Sequence, residues 1–203
     1  MSLTITHTTA GRKLTQAEYE ADNAHEVSGC WEKIADVEVD TDCDYVDITG
    51  LDGDVDKVYH IIAHLKNAGT GGDALLIKPN AANITTKYLY HDLYWNGSAL
   101  SVLTAHGTVN YGFDLGYAHA GNWEQFVGTL LTKTGALRSC VSQDMRENDA
   151  GNDTEIIENR ATSWYDTTTK ITSLRVLHGD WSTGETRVNG IGAGSKILIF
   201  KSI

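Results

Sequence analysis

The sixteen residues DVDKVYHIIAHLKNAG, Asp54–Gly69, can be read two ways, and the two readings lead to different folds. As an amphipathic helix the stretch places Val55, Val58, Tyr59, Ile62 and Leu65 on one face, with Asp54 as the N-cap and Gly69 past the end. As a strand it sets Tyr59, Ile61, Ala63 and Leu65 along one apolar face instead. Periodicity within the stretch does not choose between them.

The rest of the chain leans toward strands. There are 20 glycines but a single proline, Pro79. Turns are therefore made mainly by Gly, Asn and Asp, which tolerate positive φ. Between them lie apolar stretches of strand length: ADVEV, DYVDI, ALLI, KYLYHDLYW, ALSVL, FVGTLL, KITSLRVL and KILIF. Many short strands separated by turn signals predict an antiparallel sandwich or barrel. Asn96-Gly97, between KYLYHDLYW and ALSVL, is a strong hairpin signal. Ahead of these, KLTQAEYEADNAHEV has good helix formers and little to bury alone. The chain thus divides into an N-terminal arm or short helix over residues 1–30 and a β domain over 31–203.

Bulk properties narrow the function. The hydrophobic fraction of 41% over 203 residues suits a folded domain with a real core. Acidic residues outnumber basic ones 27 to 16, a net charge of −11, which repels phosphate backbones and argues against nucleic acid as a partner. No stretch approaches the roughly 18 to 20 apolar residues of a membrane helix. The N-terminus MSLTITHTTAGRK lacks the cationic start and apolar run of a secretory signal. Cys30, Cys43 and Cys140 have no C-x-x-C spacing and read as reduced thiols.

Several stretches suggest chemistry and then lose it on inspection. GIGAGSK, Gly190–Lys196, has the glycines, lysine and hydroxyl of a phosphate cradle. The phosphate-loop pattern needs glycine where Ser195 stands, and the following ILIFKSI is too short and too β-branched to be its helix. Asp40, Asp42, Asp44, Asp52, Asp54 and Asp56 alternate as in calcium loops. An EF-hand starting at Asp52 would require glycine at Lys57 and glutamate at Ala63, so a solvated acidic face is the simpler reading. QDMRENDAGNDTE, Gln143–Glu155, likewise reads as an exposed loop. His60 and His64 have zinc-like spacing only on a helix; on a strand they stand about 13 Å apart at roughly 3.3 Å per residue. Tyr88, Tyr90 and Tyr94 share one face of a strand with Asp92, which suits either a glycan platform or aromatic packing at a subunit contact. No G-x-S-x-G elbow occurs, and the abundant carboxylates mark no glycosidase pair by sequence spacing. No catalytic, cofactor-binding or metal-ligating residue is therefore assigned.

The stretches VDITGLDGDVDKVYHIIAHLKNAG, LLIKPN, ITSLRV and NGIGAGSKILIFK resemble a group of tailed-bacteriophage virion proteins with a jelly-roll domain, with gaps, from about Ala35 to Lys201. KLTQAEYEADNAH is similar to segments near the start of phage tail and appendage proteins. The resemblance implies an all-β, antiparallel jelly-roll-like sandwich in which Val55–Asn67 is strand and NGIGAGSK is the tight turn into the last strand. It implies a virion structural protein, made in the host cytoplasm: a capsid decoration (cement) protein on the particle exterior, binding the major capsid protein or tail proteins and associating with itself as a trimer. Leu14, Tyr19 and Val27 are then the apolar handles of the docking arm. The alternatives are a tail-tip or fibre subunit that binds host glycans through Tyr88, Tyr90 and Tyr94, and a β-sandwich glycan hydrolase.

Overall fold

A computed structural model of the chain describes residues 8–9, 12–13, 31–71, 73–81, 88–95, 100–107, 112–146, 156–180 and 186–203. Two short strands, β1 (Thr8–Thr9) and β2 (Arg12–Lys13), pair with each other. Leu14, Tyr19 and Val27 lie outside the described residues, as does Cys30. The strands that follow are β3 (Trp31–Glu38), β4 (Tyr45–Thr49), β5 (Val58–Lys66), β6 (Asp73–Pro79), β7 (Tyr88–Trp95) and β8 (Leu100–Gly107). After them come β9 (Phe113–Ala118), β10 (Trp123–Leu131), β11 (Arg138–Arg146), β12 (Ile156–Trp164), β13 (Ser173–Gly179) and β14 (Lys196–Ser202).

The strands build two antiparallel sheets packed as a sandwich. The larger runs β3-β14-β5-β10-β11-β12-β7-β8 and the smaller β4-β13-β6-β9. With the β7–β8 and β11–β12 hairpins set aside, the chain changes sheet at every step, from β3 to β4, β5, β6, β9, β10, β13 and β14. That alternation, with β14 lying between β3 and β5 and β13 between β4 and β6, is the doubled Greek key of a jelly roll. The two hairpins extend the larger sheet beyond β10, and β9 packs across β10, β11 and β12.

Within Asp54–Gly69, Val58–Lys66 proves to be strand, and Asp54–Asp56 belong to a one-turn helix before it, α1 (Gly53–Asp56). The cap of that turn is Asp52, whose Oδ1 accepts from the amides of Asp54 and Val55. Lys57 then takes φ 61°, a left-handed step that ends the turn and points the chain into β5. Tyr59, Ile61, Ala63 and Leu65 are all buried, because β5 lies mid-sheet between β14 and β10 and needs one continuous inward face.

These four side chains meet Leu75 and Ile77 of β6, Phe113 and Leu115 of β9, Leu174 and Val176 of β13, and Ile197 and Ile199 of β14 in one core. Each of the Val, Leu, Ile and Phe side chains contributes roughly 1.5–3 kcal/mol when fully buried. At the hairpin end Tyr88 stacks on Trp164 and meets Phe113 edge-on, with ring centroids 6.2 and 5.6 Å apart.

The pairing Trp95↔Leu100 places the expected Asn96-Gly97 hairpin between β7 and β8, although residues 96–99 are outside the described set. β9, β11 and β12 were not anticipated. The expected loop at Gln143–Glu155 is corrected in part: Gln143–Arg146 complete β11, and two of these polar residues, Asp144 and Arg146, are buried.

Candidate interaction surface

Polar groups that looked available in the sequence are engaged in holding the fold. In GIGAGSK six consecutive amides are taken. Gly190 N donates to Arg187 O, Ile191 N to Cys43 O, Gly192 N to Lys66 O, Ala193 N to Asp42 Oδ1, Gly194 N to Val39 O and Ser195 N to Gly192 O. Gly194 has φ 85°, a conformation that needs glycine. Ser195 Oγ accepts from the Lys66 amide at 2.9 Å. The turn is a clasp joining β14 to β3 and β5, with no N–H left for an anion.

The aspartates serve the same end. Asp44 accepts from Asn189 N, Asp54 from Thr134 N and Asp56 from the Tyr59 hydroxyl, while Asp47 makes a two-pronged pair with Arg175. Among the described residues no group of three His, Cys, Asp or Glu side chains is placed to hold a metal ion. His60 lies against Trp31 and Phe200, and His64 stacks on Trp123 at 4.5 Å. Tyr88, one of the three tyrosines of the candidate glycan face, is sealed in the core at 2% exposure and so is closed to a sugar. The Tyr90 and Tyr94 side chains lie outside the described set.

Beneath β9, the hairpin strands turn charge inward. Arg160 on β12 binds Asp114 of β9, Glu158 beside it and, at 3.4 Å, Asp92 of β7. Arg146 on β11 donates to Glu158 and to the Tyr117 carbonyl, and its guanidinium lies 5.1 Å over the Tyr117 ring. His178 of β13 reaches Glu124 of β10 through Nε2 and the Gly190 carbonyl through Nδ1, both at 2.8 Å. A carbonyl can only accept, so Nδ1 carries a proton and Nε2 is left to pair with Glu124. Burial pulls its pKa down, but the Glu124 hydrogen bond and charge prevail and raise it.

Five carboxyl groups (Asp92, Asp114, Glu124, Asp144, Glu158) thus lie between the sheets with Arg146, Arg160 and His178. Both Asp144 oxygens lack a hydrogen-bond partner. Burial raises the Asp144 pKa well above the ordinary value, against the pull of Arg160. Burial likewise pushes Asp92 up to about 7. Burial shifts Asp114 the same way, so all three aspartates are drawn toward the neutral form. Neutral carboxyls are the cheaper state where no further counter-charge is present.

On the opposite side of the same strands the polarity is reversed. The outward positions of β10 from Gln125 on, of β11, of β12 from Ile157 on, and Leu89, His91 and Leu93 of β7 include no Asp, Glu, Lys or Arg. One residue in five of the whole chain is charged. Leu93, Val127, Leu131, Val141, Met145 and Ile157 are all exposed here, Val141 most at 60%. Paired positions align them in rows: Gln125 with Met145 and Ile157, and Val127 with Gln143, Asn159 and Leu93.

No protein-family model, curated protein or solved structure matches this chain. Its surfaces therefore have to be read from their own chemistry. An outward sheet face free of charge and rich in branched side chains is suited to contact with another protein, and the described face is broad enough to be one.

Sequence reasoning missed both features. The alternation in RSCVSQDMR, with Arg138, Cys140, Ser142, Asp144 and Arg146 on one side and Ser139, Val141, Gln143 and Met145 on the other, was the available signal. It marks two faces, but ordinary expectation assigns the charged one to water.

Proposed function

We propose that the protein is a virion structural subunit of a tailed bacteriophage, a capsid decoration protein on the particle exterior that acts by binding. The observation that carries this reading is where the resembling stretches sit. Far apart in sequence, they fold against one another. Leu51 N and Gly53 N donate to the carbonyls of Thr172 and Ile171, joining DITGLDGD to ITS. Asn80, the last residue of LLIKPN, donates to the Lys170 carbonyl and accepts from the Thr172 and Ser173 amides. Ile191 of NGIGAGS bridges Cys43 and Asn67. Residues that resemble the motifs of a structural family and are occupied in building the sandwich support a part that presents surfaces.

Net charge of −11 suits a surface facing solvent better than one facing packaged DNA. The glycan-binding reading loses Tyr88 to the core. The hydrolase reading requires carboxylates that a sugar can reach, and Asp92, Glu124, Asp144 and Glu158 are buried.

The test is localisation on purified particles by antibody labelling, followed by rebinding of purified protein to particles that lack it. Labelling over the shell is expected, and a chain without residues 1–28 should keep its strand signal by circular dichroism yet fail to rebind. Absence from particles overturns the proposal, and normal rebinding by the truncated chain overturns the role of the arm.

A further inference from the structure

We infer that the outer face of the larger sheet over β7, β10, β11 and β12 is the docking site for a second copy of this chain, face to face about a two-fold axis. Charge selects the occupant. A nucleic acid would need cations and a basic protein would need carboxylates, and the described outward positions from Gln125 on β10 to Leu93 on β7 offer neither. Two copies carrying −11 each repel wherever acidic surface meets acidic surface. On this face they can meet without burying charge or opposing like charges.

The face also matches itself in kind. Exposed Val127, Val141, Met145 and Ile157 offer apolar contact, and between them Gln143 donates to Asn159 within the face, leaving further amide valences to pair across an axis. Its size is adequate. Four strands at roughly 4.8 Å spacing and about 30 Å length outline roughly 570 Å². The row Leu198–Ile62–Val127–Gln143–Asn159–Leu93 continues across β5 and β14, which brings the outline to roughly 850 Å², the outward charges of those two strands, Lys66 and Lys196, standing at one end of it in the rows of Trp123 and Gln125. A stable interface takes about 800 Å² per partner.

The buried ionic cluster explains how such a face can exist. Arg146, Glu158 and Arg160 of β11 and β12 pair with one another on the inner side, so the charged residues of these strands point inward and the outer positions are left to uncharged ones. A contact of a face with its own copy is isologous and yields pairs, in place of the trimer that the family resemblance implied. The inference holds whether or not the protein sits on a virion, and its test involves no particle.

The mass of the full chain, measured by sedimentation at micromolar concentration, should be that of a pair. Val141→Glu and Ile157→Lys, on neighbouring strands, should each weaken association on the order of a hundredfold, because each pair then buries two unpaired charges. Circular dichroism should be unchanged in both. On the unaltered chain, Met145 should be oxidised by peroxide several-fold more slowly at micromolar concentration than after dilution below the dissociation constant. A monomeric or trimeric wild type, a pair that persists in both variants, or concentration-independent oxidation of Met145 overturns the inference. A monomer would leave the face to residues 1–30 of the same chain or to a different protein.

Discussion

Asn67 shows how much a single side chain holds here. It is fully buried at the end of β5, donates through Nδ2 to the carbonyls of Ala118 and Gly71, and accepts from Gly69 N. Its own amide and carbonyl pair with Asn122 and Gly121 across the mouth of β10. Asn67→Ala leaves those backbone bonds but removes the side-chain partner of the Ala118 and Gly71 carbonyls and the Gly69 amide, and the expected loss is about 2–4 kcal/mol, read from urea unfolding. Asn67→Asp should cost more at neutral pH, since the new carboxylate would face the buried Asp73, whose Oδ2 lies 3.4 Å from Nδ2. A wild-type midpoint for Asn67→Ala would refute the bracing role. In the sequence Asn67 looked like any turn asparagine. Gly69 and Gly71 are local partners, but Ala118, Gly121 and Asn122 lie on β9 and the β9–β10 turn, and no local pattern announces those three.

Among the elements, the jelly-roll strands were the readable ones and the inserted ones were not. β6, β13 and β14 were located as apolar runs between turn residues, whereas β5, whose periodicity fitted helix and strand alike, was assigned to strand only by the resemblance. β11 and β12 bury Asp144, Arg146, Glu158 and Arg160, and their inner face therefore looked like surface. β9, FDLGYA, is short and holds an aspartate and a glycine for a reason visible only in three dimensions. A Cβ on Gly116 would stand 3.0 Å from the Asp144 carboxyl, so glycine is what lets β9 close over β11. Gly116→Ala should cost about 1–3 kcal/mol through overpacking. Adding Asp144→Ala should recover most of that loss, because the two sites touch and their effects do not add. Melting temperatures of the two single variants and the double give the coupling, and simple additivity would show that the contact does not limit packing. The docking face was hidden for the same reason as the strands that bear it: nothing in a one-dimensional pattern says which side of an alternating strand meets water.

For the molecule as a whole the buried charges set a pH dependence of unusual sign. Asp92 and Asp144 hold protons more tightly folded than unfolded, and so does His178. The Asp92 contribution is complete below about pH 4 and lost as pH rises to about 7, on the order of 4 kcal/mol at roughly 1.4 kcal/mol per unit. The His178 contribution is complete below its unfolded pKa near 6.5 and disappears as pH climbs through the higher folded value. Asp166, held low against burial by hydrogen bonds from Thr168 and Thr169, opposes them only at strongly acid pH. The melting temperature should therefore peak on the mildly acid side and fall toward pH 8. Asp92→Asn should flatten the fall between about pH 4 and 7. Calorimetry showing a flat or rising melting temperature from pH 5 to 8 would contradict this. The topology also carries a cost at birth. Among the described residues β3 pairs with no strand but β14, and everything from Tyr45 to Gly179 is translated between them. At about 5–20 residues per second, the ribosome leaves that first strand unpartnered for on the order of 10 s. A nascent chain of this design has an open sheet edge for most of its synthesis, so its yield in the cell should depend on chaperones that shield such edges until the final strand arrives.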